Sequence, residues 1–515
     1  MKFTISTISV FSLLVLLPFL GCATVDARRD YDNARDQVER AIGHAPDIQP
    51  DEQSQDAEQC AALISDGLTV DEAVQVALLN NSKVRAAFAR IGMSRSDVVQ
   101  AGLFSNPSIG LSFRFPDGGG LADFELSLAQ NIADLWMIPA RTRAATRDLN
   151  RTILEAVREV SALANDTKVA YVNAVAADEL LATARDSVTL TQQLLRITEA
   201  RLEAGMVSSL DANLAKGQVL KAEVELRTAR LEAATAHRTL ATLLGLVTQA
   251  GKVTLADPLP TPRSDTLDPE RYVEIARDAR LDLQAARDGQ EAAAARVELE
   301  LARVFQNVEI GFELERNARR APPGRKVLAD TARASIANGG LTVPEIESRG
   351  QRRLAKSQEI EAILGPSLSL TLPIFDQNQA QIAKARFGYL EAKYQLDALD
   401  RAIVQETREA ADRAATAWNL ATLYDHEVLP QVRETLTLSE AAYQAGNAPI
   451  LNVVDAQRSL LEARRLYVAA LQSSANALVD LERATARPIR VLLDQTKMNS
   501  QPASAPGTTT MEDNQ

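Results

Sequence analysis

The chain has 515 residues, of which 46% are hydrophobic and only 4% aromatic, and its formal net charge is −12. Its length suggests two to four ordinary domains, and the Leu- and Ala-rich composition favours long helices over an all-β sandwich. The acidic balance argues against a nucleic-acid binder that works through a broad basic surface. The two Cys and three His provide too little material for a disulfide scaffold or a His-rich metal site.

The N-terminus has the features of a bacterial lipoprotein signal. A short basic start precedes an apolar segment at 8–20, which is too short to span a bilayer as a helix. This segment ends in Gly21-Cys22, which resembles the motif at which lipoproteins are cleaved before a Cys that is then acylated. We therefore expect residues 1–21 to be a signal peptide and Cys22 to carry a covalent lipid. A plain signal peptide cleaved near Ala23 is the alternative.

The residue after this Cys bears on the membrane to which the protein is sent. Ala23 stands where a lipoprotein retained in the inner membrane would carry Asp, and by the same resemblance this favours the outer membrane. No later apolar run is long enough for a transmembrane helix. With Cys22 acylated, Cys60 has no disulfide partner in the chain, and we expect it to be a buried or idle thiol rather than a reactive one.

Internal repetition is the most informative feature of the sequence. Residues 201–212 and 442–453 share an Ala-Gly pair and a Leu five residues after the Gly, and 128–134 matches 370–376 at nearly the same offset. These matches predict two tandem copies of one plan. The predicted parts are a signal peptide (1–21), an N-terminal anchor and equatorial segment (22–67), a first repeat (68–249), a crossing linker (250–269), a second repeat (270–490) and a disordered C-terminal tail (491–515).

The first repeat combines helices with a β-hairpin. Thr69 is a predicted N-cap, with Glu72 completing a capping box, and Gly205 ends the long helix as a left-handed cap would. Alternation of apolar residues predicts the strands. The predicted elements are helices over 68–102, 134–203 and 209–244 and strands over 106–115 and 124–128.

The second repeat follows the same order. The predicted elements are helices over 270–304, 374–445 and 450–485 and strands over 307–315 and 367–372. In each repeat the two shorter helices together match the long helix in length, so stacking them end to end would complete a helical wall beside it. Pro430 interrupts the second long helix where the first has Thr189, which predicts a kink. If the assembled protein opens and closes, we expect the second hairpin to be the one that flexes.

The strands and helices together indicate a mainly helical chain with membrane β-structure. Four strands cannot close a barrel, for which about eight are the minimum, and exposed strand edges are not tolerated in lipid. If the strands span a membrane, several chains must share one barrel, and three chains would give twelve strands. This predicts a β-barrel continued by a long α-helical barrel.

Over roughly residues 65–490 the sequence resembles the TolC family of outer-membrane efflux proteins, in a lipid-anchored form. The resemblance is carried by Leu-Thr-Val-Asp-Glu-Ala-Val from Leu68, by Asn-Pro-Ser from Asn106, by the two Gly-containing hairpin turns and, most specifically, by 442–456. It implies a homotrimer with a twelve-stranded barrel, a periplasmic α-barrel and an equatorial belt, in the outer membrane of a Gram-negative bacterium. It further implies a periplasmic adaptor (membrane fusion) protein and an inner-membrane pump, for which we expect the RND type.

The residues just past the turning glycines are the candidate gate and selectivity residues. In a trimer, Asp211 and Asp455 would form rings of carboxylates that attract cations, although carboxylates at helix N-termini are also favoured by the helix dipole alone. The resemblance places Asp211 and Tyr443 in the family's gate lock. It also shows two departures, because Asn452 replaces an expected Asp and Ala448 replaces an Arg of the gate network.

The turns themselves are the candidate docking surface for the adaptor, again by resemblance. Tight turns without a docking role are the alternative reading. The residues concerned are Gly205, Met206, Val207, Ser208, Gly446, Asn447 and Ala448.

A passive duct that exports small solutes is the predicted function, and its cargo is open. Residues 372–379 resemble the cation-efflux (cobalt–zinc–cadmium) branch of the family, while drugs remain an alternative. A non-conducting periplasmic scaffold and the duct of a type I protein secretion system are the other candidate functions. We predict neither an enzyme nor a metal cofactor, because His44, His237 and His426 lie in unrelated segments without catalytic or ligand spacing.

The segment between the last two strands, 316–363, has ten Lys or Arg and five Asp or Glu. Long barrel loops usually face the exterior. This one could cap the pore, contact lipopolysaccharide phosphates or simply be solvated.

Overall fold

The computed structural model describes residues 23–44, 60, 63–64, 67–115, 122–246, 253–261, 268–318, 327–341 and 360–488. The predicted signal peptide, Cys22, the C-terminal tail after residue 488 and most of the 316–363 loop lie outside these residues. The chain forms two compact units. The helical unit takes residues from 1–96, 147–290 and 391–515, and the sheet unit takes those from 97–146 and 291–390.

Helices dominate the described chain. In chain order the helices are α1 (Arg28–Ile42), α2 (Val70–Asn80), α3 (Ser82–Ala101), α4 (Asp134–Glu203), α5 (Ser209–Leu243), α6 (Pro269–Ala279), α7 (Leu281–Ala302), α8 (Val327–Asn338), α9 (Gln379–Leu423), α10 (Leu429–Gln444) and α11 (Ile450–Thr485). A 3₁₀ turn over Arg303–Phe305 follows α7, and a π-helical turn over Tyr424–Val428 joins α9 to α10. None of the described helices is both long and apolar enough to cross a membrane.

The sheet unit contains one antiparallel sheet. Its strands are β1 (Ser108–Arg114), β2 (Asp123–Asn131), β3 (Val308–Ala318) and β4 (Ile360–Leu370), paired in the order β1-β2-β3-β4. The first three predicted strands are confirmed to within a few residues. The prediction for β4 was wrong at its start, because the strand begins at Ile360 and not at Ser367, and Pro366 lies within it. On an edge strand a Pro does not break the pairing, and the ladder continues to Ile360 opposite Ala318.

Pairing in the sheet separates apolar from polar residues. Ile109 lies opposite Leu128, and Leu128 lies opposite Phe312, so these side chains share one face. Ile109 and Phe312 are both largely exposed in the single chain. Glu125 and Glu315 lie opposite each other on the other face. The alternation predicted along the first strand is therefore confirmed, and it extends across all four strands.

The core of the helical unit includes the segment that crosses between the repeats. Tyr171 of α4 is fully buried, and its hydroxyl donates to the Leu68 carbonyl at 2.7 Å and accepts from the Asp257 amide at 2.9 Å. The Asp257 carboxylate accepts from the Val70 amide at the start of α2. Burial raises the pKa of Tyr171, so its hydroxyl stays neutral and can both donate and accept. The predicted capping box of Thr69 and Glu72 is confirmed beside this contact, and Cys60 is buried in the same core, as predicted.

The long helix α4 begins at Asp134 and ends at Glu203, as predicted, and the return helices α5 and α11 also match their predictions. For two segments, the prediction of a single helix was wrong. The segment 68–102 is broken at Asn81, and the segment 270–304 is broken at Arg280, each with extended backbone at the break. Both breaks have the same cause, which is a contact with the end of a return helix.

At the first break, Asn81 serves two helices at once. Its side-chain oxygen accepts from the Lys83 amide at the start of α3, and its side-chain nitrogen donates to the Leu243 carbonyl at the end of α5. Asn80 donates to the next carbonyl, that of Leu244. Helix ends leave their last carbonyls unpaired, and these amides satisfy two of them.

At the second break, the same tasks are divided between two charged residues. Asp282 accepts from the Leu283 amide at the start of α7, while Arg280 donates at 3.4 Å to the Ala484 carbonyl at the end of α11. Arg280 also holds Asp282 through two parallel hydrogen bonds of 3.0 and 2.7 Å and donates to Glu406 of α9. In both repeats, then, the return helix ends against the break, which agrees with the predicted end-to-end arrangement.

The second long helix also differs from its prediction. It begins at Gln379 rather than at Ile374, because Asn378 adopts left-handed backbone (φ 59°) and its amide is held by the Asp376 carboxylate in a tight turn. It is interrupted by the π-helical turn, which ends at Val428, two residues before Pro430. The Leu429 amide there reaches back five residues to the Tyr424 carbonyl. In a regular helix the Pro430 ring would clash with the carbonyl four residues earlier, and the wider turn relieves that clash.

Candidate functional site: the hairpin tips

The first hairpin tip joins α4 to α5 through a left-handed glycine. Gly205 has φ of 72°, its amide donates to the Leu202 carbonyl, and the Met206 amide donates to the Arg201 carbonyl. This is a glycine C-cap with both orphan carbonyls satisfied. Ser208 then begins α5 as its N-cap.

The second tip joins α10 to α11 and repeats this hydrogen-bond pattern. Gly446 has φ of 77°, its amide donates to the Tyr443 carbonyl, and the Asn447 amide donates to the Ala442 carbonyl. The repeat seen in the sequence is therefore reproduced bond by bond. The tips differ at the next helix, since Pro449 begins α11 without a side-chain cap.

Both hairpins share a core just behind the tips. Leu194 of α4 and Ala215 of α5 pack with residues of α10 and α11. The cluster from the second hairpin comprises Leu436, Tyr443, Ile450, Val453, Val454, Ala456 and Leu460. The tips are thus held together by burial of apolar side chains from both repeats.

The predicted gate residues lie in different environments. Asp211 is the third residue of α5, where its carboxylate completes a capping box with Ser208 at 2.8 Å. Tyr443 is only 4% exposed, and its hydroxyl has no hydrogen-bond partner among the described residues. The two are therefore not hydrogen-bonded to each other in this structure. Asn452 and Asp455 are both exposed near the start of α11.

The predicted docking residues all lie in the two turns. Five of the seven are exposed, and Val207 and Ala448 are half-buried. Pro430 lies further back in the second hairpin, after the π-helical turn.

One residue of the site was missed by the sequence reasoning. The guanidinium of Arg201, in the last turn of α4, lies 4.5 Å from the centre of the Tyr443 ring, and its Nη1 donates to the Tyr443 carbonyl at 2.6 Å. The signal that could have found it is the repeat itself, because the residue of the second copy that corresponds to Arg201 is Ala442. A basic residue present at only one of two equivalent positions indicates a contact that the other repeat lacks.

No group of three or more His, Cys, Asp or Glu that could hold a metal ion occurs within the described part of the chain. The tips present exposed turns and a charged contact, and the sheet presents one apolar and one polar face.

Comparison with known proteins agrees with this architecture. The outer membrane efflux protein family matches residues 73–246 and again 272–487. The cobalt-zinc-cadmium resistance protein CzcC of Cupriavidus metallidurans is 24% identical, over 82% of this chain and 90% of that protein. The pyoverdine export outer membrane protein OpmQ of Pseudomonas aeruginosa is also 24% identical, over 79% of this chain and 83% of that protein.

Among solved structures, the outer membrane protein VceC of Vibrio cholerae matches with a TM-score of 0.62 at 18% identity, over 82% of this chain and 96% of that one. At that identity the similarity shows the fold alone, which is that of TolC-like outer-membrane channels. Because the family covers most of the sequence, the chain belongs to the outer membrane efflux protein family. It is an efflux duct of the outer membrane and not an enzyme, and channels of this kind work within efflux systems together with partner proteins.

Proposed function

We propose that three copies of this chain close one twelve-stranded barrel, which forms the membrane part of a duct for small cations. The observation that carries the assembly is the four-stranded sheet. Its apolar face is exposed in the single chain, and β1 and β4 are edge strands with no further partner among the described residues. Lipid tolerates neither open edges nor unpaired backbone groups, so neighbouring copies must supply the pairing.

The polar face of the same sheet supports a preference for cations. Once the apolar face is turned to lipid, the other face lines the duct. One basic side chain, Arg114, lies on that face within the described strands, and it pairs with Glu125 at 2.9 Å. The acidic residues on the face are Asp123, Glu125, Glu309, Glu313 and Glu315. Three copies of this set would give the duct a strongly negative lining, which attracts cations and repels anions.

Metal cations are the favoured cargo. The acidic lining, the resemblance of residues 372–379 to the cation-efflux branch and the similarity to a protein named for cobalt, zinc and cadmium resistance all support it. A small organic solute is the second candidate, because another relative of equal identity is named for pyoverdine export.

The remaining parts of the assembly follow from the same proposal. A periplasmic adaptor binds the hairpin tips, an inner-membrane pump of the RND type supplies the energy and selects the cargo, and a lipid on Cys22 anchors the mature chain in the outer membrane.

The electrical test is the reversal potential of the purified protein in a planar bilayer with a salt gradient. We expect a trimer that passes cations in preference to anions. Replacing Glu313 and Glu315 by Gln should shift the reversal potential towards zero, and Arg114→Gln should shift it the other way. A monomer after extraction, or selectivity that ignores all three substitutions, would contradict the proposal.

Cargo is tested in cells. A strain lacking the gene should lose resistance to cobalt, zinc or cadmium and regain it from a plasmid copy. Unchanged metal resistance together with retention of an organic solute would favour the second candidate. Loss of the Cys22 lipid is read separately, by the mass of the mature protein after Cys22→Ala.

A further inference from the structure

One charged contact between different repeats joins the two hairpin tips of one protomer. It consists of the guanidinium of Arg201, the ring of Tyr443 and the main-chain carbonyl of Tyr443, and we call it the Arg201 clasp. The guanidinium lies over the ring at 4.5 Å and donates to the carbonyl at 2.6 Å. A cation over an aromatic face and a charged hydrogen bond are both attractive, and their strength grows as water is excluded.

The clasp also caps a helix. The Tyr443 carbonyl belongs to the last turn of α10, where it already accepts from the Gly446 amide. A positive charge at this point is favoured by the helix dipole. Arg201 therefore stabilises the end of the second hairpin while it belongs to the end of the first.

The position is buried and specific to one repeat. Tyr443 is 4% exposed and belongs to the shared apolar core, and Arg201 is half-buried at the edge of that core. The second repeat has Ala442 in place of Arg201, and the first has Leu202 in place of Tyr443. Only one clasp can therefore form per protomer, from the first hairpin to the second.

The clasp leaves polar atoms without partners. The Nε of Arg201 and the hydroxyl of Tyr443 are both buried, and neither has a hydrogen-bond partner in the described part of the chain. Unsatisfied buried groups reduce the stability of the joined state. The contact thus combines strong attraction with a built-in cost, which suits a bond that must break during opening.

We propose that Arg201 is the latch of the duct: by holding Tyr443 it joins the two tips of each protomer and sets the conductance of the resting state. This inference rests on the duct function and on the tips being its narrowest part. It differs from a lock between the Tyr443 hydroxyl and the Asp211 carboxylate, because it depends on the ring and the carbonyl and not on the hydroxyl.

Single-channel conductance of the purified wild type and variants tests this difference. Arg201→Met should raise the open fraction about tenfold, through loss of one cation–π contact and one charged hydrogen bond. Tyr443→Leu should raise it by less, because the ring is lost but the main-chain carbonyl remains, and Arg201→Lys should also fall between the wild type and Arg201→Met. Tyr443→Phe should leave the conductance unchanged. Arg196→Met is the matched control, because Arg196 is an exposed residue of the same helix.

A second readout separates the clasp from the duct. Hydrogen exchange of the peptide over 441–452 should be faster in Arg201→Met than in the wild type and unchanged in Arg196→Met. A rise in conductance with Tyr443→Phe would overturn the proposal in favour of the hydroxyl lock. Faster exchange without any rise in conductance would also overturn it, since the clasp would then hold the tips without closing the duct. The cation selectivity of the wild type tests the duct itself and does not depend on any of these variants.

Discussion

The two repeats bind the end of a return helix with different side chains. In each, a short helix is broken where the carboxyl end of a return helix arrives, and a side chain at the break binds that end. In the first repeat one neutral residue, Asn81, caps both the following helix and the return helix. In the second repeat Asp282 caps the following helix and Arg280 binds the return helix.

The two repeats therefore share the backbone geometry more closely than they share the residues that maintain it. An amide side chain is both donor and acceptor, so a single Asn meets both needs. When an Arg is the donor instead, its positive charge needs a negative partner, because the Arg280 side chain is mostly buried. The carboxylates of Asp282 and Glu406 are those partners. The ionic joint also includes α9, because Arg280 donates to Glu406. Among the described residues, the side chain of Asn81 bonds to the end of α5 and the start of α3 but not to α4.

The largest effect is expected from breaking the ionic joint. Arg280→Met would leave Asp282, which is only 11% exposed, as a nearly buried carboxylate without the Arg that binds it. Removing one partner of such a pair costs about 3 kcal/mol of unfolding free energy. The midpoint of thermal unfolding in detergent measures the loss. The double variant Arg280→Met with Asp282→Asn should recover part of it, and no recovery would show that the charge is not the cause.

Acid should weaken the two joints differently. Burial alone raises the pKa of Asp282, but the hydrogen bonds and charge of Arg280 outweigh it, so the pKa lies below its ordinary value of 3.8. A lowered folded-state pKa adds stability that is complete above the ordinary value and is lost as the pH falls through the folded-state pKa. The stability difference between wild type and Asp282→Asn should therefore shrink as the pH is lowered from 7 to 3. A difference that stays constant with pH would contradict the ion pair.

A smaller effect is expected at the neutral joint. Asn81→Ala removes one hydrogen bond to the end of α5 and one to the start of α3, at a net cost of about 1 kcal/mol each. The amide does not titrate, so this loss should be the same at pH 7 and pH 4. Asn81→Asp is the informative companion, because it keeps the acceptor for α3 and places a negative charge at the carboxyl end of α5. It should be less stable than Asn81→Ala at pH 7.

Much of the fold could be predicted because local signals and tertiary packing agree. The capping box at Thr69 predicted the start of α2, and the run without Pro or Gly from 140 to 204, closed by Gly205, predicted the end of α4. The breaks at Asn81 and Arg280 could not be predicted, because neither residue is a helix breaker. Each break also carries a hydrogen bond to the end of a return helix more than 150 residues away, which no local pattern reveals.

The same limit applied to the candidate site. The turns followed from local residues, whereas the contact of Arg201 with Tyr443 joins residues from different repeats. The resemblance pairs Tyr443 with Asp211 across neighbouring hairpins, and within the single chain the Asp211 carboxylate accepts a hydrogen bond from Ser208. A side chain with a close local partner is less available to a distant one, and this preference can be read from the Ser-x-x-Asp spacing alone.

The smallest effect concerns the two long helices, which differ in regularity. The π-helical turn over Tyr424–Val428 precedes Pro430, while the corresponding part of α4, residues 183–189, is regular helix. A π turn has weaker and fewer α-type hydrogen bonds, so its amides should exchange several-fold faster than those of 183–189. Pro430→Thr introduces the residue found in the first repeat and restores the missing donor. Exchange over 424–430 should then slow, with little change at 183–189. If the substitution leaves exchange unchanged, the turn is set by packing against α11 rather than by Pro430, and the second hairpin has no special hinge at this residue.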